Sequence, residues 1–166
     1  MSQEEVRVLT VAGMMGYGLD AKEVRKGLER RPDVITIDSG STDSGPQKLG
    51  AGEMTVPRES YYKDMAIMLE AGHETKTPMY ISSAGGDGTN AHVDMFLDMV
   101  REISKAKGYH FNIATIYADI DREYIKNKIR AGKVSPCGPL GLLEPLAEEE
   151  VNSATNIVAQ MGVEPF

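Results

Sequence analysis

The stretch Val6–Glu23, VRVLTVAGMMGYGLDAKE, decides the fold. A β-prone run, Val6–Ala12, reaches Gly13, turns through Gly16 and Gly18, and gives way to Asp20-Ala-Lys-Glu23. That tetrapeptide has the form of a capping box, with Leu19 and Val24 spaced as a hydrophobic staple. A strand that passes through glycines directly into a capped helix is the opening of an α/β unit.

The same alternation continues along the chain. Further β-prone runs lie at Asp33–Asp38 (DVITID), Met79–Ala84 (MYISSA) and Phe111–Ala118 (FNIATIYA). Their near-continuous apolar character predicts strands covered on both faces. Helical spacing separates them: Pro57–Ala71, with Tyr61, Met65, Met68 and Leu69 inward; Ala91–Lys107, with Val93, Phe96, Leu97, Val100 and Ile103 inward; and a helix from Asp121 to about Gly132. A last helix is expected over Ala147–Met161, with Glu148, Glu149 and Glu150 in its first turn, where the helix dipole favours negative charge. The order predicts one α/β domain over residues 1–166. Its sheet is expected to be mostly parallel, with helices on both faces in a Rossmann-like three-layer arrangement. After Gly162 no further strand follows, so the expectation is that this domain forms part of a larger fold.

Composition narrows the function. Of the 166 residues 41% are hydrophobic and 26% charged, as in ordinary globular proteins. The formal net charge of −7 argues against nucleic acid and anionic membrane as partners. The single cysteine, Cys137, precludes an internal disulfide and fits a reducing compartment. It has no base or metal-ligand partner in the sequence. No apolar run is long enough to span a bilayer, and the acidic start lacks the form of a signal peptide. A cytoplasmic location is the expectation.

In open α/β sheets ligands bind beyond the carboxyl ends of the strands, so the loops there hold the candidate site. After the first run, Gly16 and Gly18 permit close backbone approach to a substrate, or simply make a tight turn. Their spacing, G-x-x-G-x-G, is not the dinucleotide pattern, and no nucleotide cofactor is expected. After the second run comes Asp38-Ser-Gly-Ser-Thr-Asp-Ser-Gly-Pro46. Asp38, Ser41 and Thr42 are candidate substrate ligands and Asp43 a candidate catalytic carboxylate. Together they could also hold a divalent cation through oxygen. A surface loop with Asx turns is the structural alternative. After the third run, Ser83, Gly85, Gly86 and Asn90 are candidate substrate contacts, the glycines forming a nest of N–H groups for an oxyanion. Asn90 reads as the helix N-cap. His92, in the first turn beyond it, is a candidate general acid or base, with packing or capping as the alternative. After the fourth run, Asp121 reads as an N-cap and Asp119 as a candidate catalytic carboxylate.

These motifs in series resemble the acyclic terpene utilisation family. The residues that carry the resemblance are Gly16-Tyr-Gly18, Ile37–Pro46, Ser82-Ser-Ala-Gly-Gly86 with Asn90 and His92, Ala118-Asp-Ile-Asp121 and Val158–Pro165. The chain is similar to about the N-terminal third of a member, roughly as an α/β domain is to a multidomain chain. The resemblance implies lyase or hydro-lyase chemistry on an acyl-CoA or other carboxylate substrate, in catabolism of branched, terpenoid acids. The expected partners are that small molecule and an oligomer mate or subunit carrying the rest of the fold. A noncatalytic module that completes a partner's site is the competing expectation.

Overall fold

The computed structural model describes residues 5–41, 45–138, 144–160 and 162–165. Three short strands, β1 (Val8–Thr10), β2 (Val34–Asp38) and β3 (Met79–Ser82), form a parallel sheet in the order β1-β2-β3. Val8 is opposite Val34, and Ile35 opposite Met79, so the strands are in register at their amino ends and their carboxyl ends share one rim.

Among the described residues six α-helices accompany the sheet: α1 (Ala21–Leu28), α2 (Gly45–Ala51), α3 (Arg58–Thr75), α4 (Asn90–Lys107), α5 (Arg122–Arg130) and α6 (Glu148–Ser153). Asp20 caps α1, its Oδ1 accepting Lys22 N–H at 2.8 Å, and Val24 is buried as the staple requires. Asp121 caps α5 through Tyr124 N–H at 2.8 Å. The cap of α4 is Thr89, so Asn90 is the first helical residue.

Burial alternates along the strands. Leu9, Ile35, Ile37, Met79 and Ile81 enter one core with Val24 of α1, Met65, Met68 and Leu69 of α3, and Phe96, Met99 and Ile103 of α4. The packing is close: a Cβ on Gly27 would lie 2.6 Å from Leu9, and one on Gly72 2.3 Å from Met79. The other face of the sheet carries Val8 (58% exposed), Tyr80 (42% exposed) and the Thr10–Thr36 hydroxyl pair at 3.1 Å. Coverage on both faces is therefore not what these strands display. The apolar runs conceal a period of two, because threonine and tyrosine suit a half-covered strand as well as a buried one.

Two expected elements take another form. Phe111–Ala118 forms no strand. It leaves the His73–Tyr109 ring stack (centroids 4.1 Å apart) at the C-terminal end of α3 and reaches the start of α4. There the Asn90 side chain, not a neighbouring strand, accepts Ala118 and Asp119 N–H, each at 3.1 Å. Asp119 then makes an isolated antiparallel bridge with Val158. The last helix stops at Ser153 because Arg122 draws its final carbonyls aside. The guanidinium donates to Val151 O, to Ala154 O at 2.6 Å and to Thr155 O at 3.2 Å. Residues 157–159 then serve the bridge: Ile120 N–H donates to Ile157 O at 3.0 Å and Ala159 N–H to Ala118 O at 2.8 Å.

Candidate functional site

The strand-end loops meet on the carboxyl rim through their own backbones. Met15 N–H donates to Asp38 O at 2.7 Å, tying the first loop to β2. Ser39 N–H donates to Ser82 O at 3.0 Å, and the Ser39 hydroxyl donates to the same carbonyl. Gly40 lies so close to the next loop that a Cβ there would be 2.8 Å from Ser83 and 3.1 Å from Gly86 O. Thr55 N–H donates to Gly85 O at 2.8 Å. The Tyr61 hydroxyl, fully buried, donates to Ser39 O at 2.8 Å. Burial raises the pKa of that phenol, since the phenolate would lose its hydration.

Under the third loop lies a buried carboxylate–imidazole pair. Asp87 Oδ1 accepts His92 Nδ1–H at 2.6 Å, together with Thr89 N–H and the Thr89 hydroxyl, each at 3.0 Å. The side chains of Asp87 and His92 are 0% and 8% exposed. A carboxylate only accepts, so whenever the imidazole is neutral this contact places the hydrogen on Nδ1 and the lone pair on Nε2. Gly85 makes this possible. Its φ is +70°, and a Cβ would sit 2.7–2.8 Å from the His92 ring. Asp87 Oδ2 and Thr55 Oγ1 are buried without a hydrogen-bond partner among the described residues. The sequence reading found His92 but missed Asp87. The available signal was an acidic residue five positions before a first-turn histidine.

The remaining candidates fall in different places. Asp38 closes on its own loop, Oδ1 accepting Gly40 N–H at 2.9 Å in an Asx turn. Asp38 also borders an open hollow of ≈ 420 Å³ on the uncovered sheet face, with Thr10, Gly13, Thr36, Ser82 and Val163. Ser41 is half-buried after β2; Thr42 and Asp43 lie outside the described residues. Ser83 is exposed with φ +51°. The glycine nest expected at Gly85 and Gly86 is partly spent, because Gly86 N–H donates to Ser83 O at 2.7 Å and closes a 3-10 turn. Asp119 holds the start of α4 from outside the helix, its Oδ1 accepting Asn90 N–H at 2.9 Å, while Asn90 Oδ1 holds the Asp119 backbone in return.

Gly16 and Gly18 reach the rim, but their N–H groups point at the protein's own Asp64. Its Oδ2 accepts from Gly16 at 2.7 Å and Gly18 at 3.1 Å, and its Oδ1 from Leu19 at 2.8 Å. Asp64 is 2% exposed and was not a candidate in the sequence, where it reads as one more polar residue of α3.

Among the described residues no group of His, Cys, Asp or Glu side chains is placed to hold a metal ion, and Cys137 is exposed. No helix among them is long and apolar enough to cross a membrane. The chain matches no family model, no curated protein and no solved structure.

Proposed function

We propose that the chain carries the proton-transfer centre of a lyase or hydro-lyase acting on an acyl-CoA or related carboxylate, as its resemblance to the acyclic terpene utilisation family implies. The observation that carries this reading is the buried Asp87–His92 pair beneath a glycine turn at the strand ends. Asp87 orients the imidazole, and Nε2 takes or returns the proton at the substrate carbon or oxygen. The Ser83 hydroxyl and Asp38, on the loops that meet above, orient the substrate. Asp119 stands in this reading as the residue that fixes the start of α4, rather than as a second base.

The test is turnover by the full-length protein on branched acyl-CoA thioesters. His92→Gln is expected to lower kcat by about 10²–10⁴-fold, the usual range for an acid–base group. Asp87→Ala is expected to lower kcat with little change in KM. Wild-type turnover in His92→Gln would reject the assignment.

A second reading, a module that completes a partner's site, is favoured by the uncovered sheet face with Val8 and Tyr80 exposed. It predicts that the isolated chain self-associates or is stabilised by a partner. A clean monomer with turnover of its own would reject this second reading.

A further inference from the structure

We infer that Asp64 is a specificity-determining residue: it fills the anion nest of the first strand-end turn and closes that turn to carboxylates and phosphates. A glycine-rich turn between a strand and a helix ordinarily points its free N–H groups at a ligand's anionic group. Here three such N–H groups, of Gly16, Gly18 and Leu19, converge within 2.7–3.1 Å of one carboxylate supplied by α3. Both oxygens are engaged, and the side chain lies in the core. The turn has the geometry for an anion and already contains one. A second anion would meet like charge at contact distance, with these three donors already engaged.

The same contact shapes the neighbouring loops. Gly16 has φ +97°, and a Cβ there would lie 2.4 Å from Val56 and 3.3 Å from the Tyr61 ring. The turn is thus pressed onto the residues that hold Thr55 against Gly85 and Tyr61 against Ser39. Asp64 locks the first loop down, so any carboxylate or phosphate that the chain binds has to be received elsewhere. This inference does not depend on the reaction proposed above.

The test uses the ¹⁵N-labelled chain, titrated with sodium formate and with inorganic phosphate against sodium chloride at equal ionic strength. Formate is the carboxylate that Asp64→Ala deletes. In the wild type the Gly16, Gly18 and Leu19 amide resonances are expected to stay in place with both anions. In Asp64→Ala, Tm is expected to fall by about 5–15 °C, three buried donors having lost their acceptor. Formate, but not chloride, should then shift those three amides saturably and recover at least half of the lost Tm. Asp64→Asn fills the space and should not respond to formate. Saturable shifts in the wild type would overturn the inference, as would a folded Asp64→Ala variant whose three amides ignore formate. Should Asp64→Ala not fold, the wild-type phosphate titration decides alone.

Discussion

Replacing Tyr61 by Phe removes one oxygen from the middle of the rim and little else. The ring keeps its edge-on contact with Phe96, centroids 5.0 Å apart, and its place beneath Gly16. What is lost is the hydroxyl that donates to Ser39 O at 2.8 Å, in a residue that is itself fully buried. A buried carbonyl left without its donor costs about 1–3 kcal/mol. Taking ~2 kcal/mol, and about 2–4 °C per kcal/mol for a domain of this size, Tm should fall by about 4–8 °C at neutral pH. The pH dependence has a definite sign. Burial holds the folded phenol's pKa above the ordinary tyrosine value. The wild type therefore has this stabilisation in full below that value and loses it as pH rises toward the folded pKa. Each pH unit in that window removes up to about 1.4 kcal/mol from the wild type and nothing from the variant at this position. Urea unfolding followed by far-ultraviolet circular dichroism at neutral pH and at a series above pH ~10 measures the gap between the two proteins, with the other tyrosines cancelling. The gap should narrow with pH. A gap below about 0.5 kcal/mol at neutral pH, or one that is constant or widens in alkali, would refute the reasoning.

Other expectations follow from the same geometry. Gly85→Ala should cost about 2–5 kcal/mol, combining a left-handed backbone with a Cβ pressed into the His92 ring, whereas Gly88→Ala, whose Cβ would meet Ser83 Cα at 3.9 Å in ordinary van der Waals contact, should cost only about 1–2 kcal/mol; chemical denaturation of the pair distinguishes steric from backbone strain. Asn90→Ala and Asp119→Ala should be non-additive by about 0.5–3 kcal/mol in a double-mutant cycle, because each holds the other's backbone. Both should speed hydrogen exchange at Ala118 and Asp119. Arg130 holds the Glu148 carboxyl below its ordinary value, first through their hydrogen bond. Arg130→Ala should therefore move the Glu148 carboxyl titration upward in ¹³C spectra. The small surface stabilisation involved is present above the unfolded glutamate's value and lost as pH falls through the folded one.

The elements legible in the sequence were those with local causes. Asp20 and Asp121 cap helices because their side chains accept N–H groups two and three residues further along their own chain. Gly16 and Gly18 turn because, without a Cβ, they take φ of +97° and +100° freely. The inward stripe of α3 follows from helical spacing; on α4 Phe96 and Ile103 are buried as that spacing predicts, but Met99 joins them in the core where Val93 and Leu97 were expected. The convergence of the strand-end loops followed from parallel order. His92 was visible as a first-turn histidine after a glycine run. Phe111–Ala118 misled because its composition is that of a strand, while pairing depends on what lies beside it. The last helix misled because Arg122, distant in sequence, takes its carbonyls.

Side-chain types and spacings along the chain thus determined the first three strands, the Asp20 and Asp121 caps and the glycine turns, since each depends on neighbours a few residues away, and composition alone set the acidic balance. Tertiary structure alone decided that Asp64 fills the first glycine turn from 45 to 48 residues along the chain, that Asp87 partners His92, and that one face of the sheet stays uncovered. The physical reason is that a hydrogen bond is set by distance and direction in space. A carboxylate has no preference written into the sequence until the fold brings a donor within about 3 Å of it.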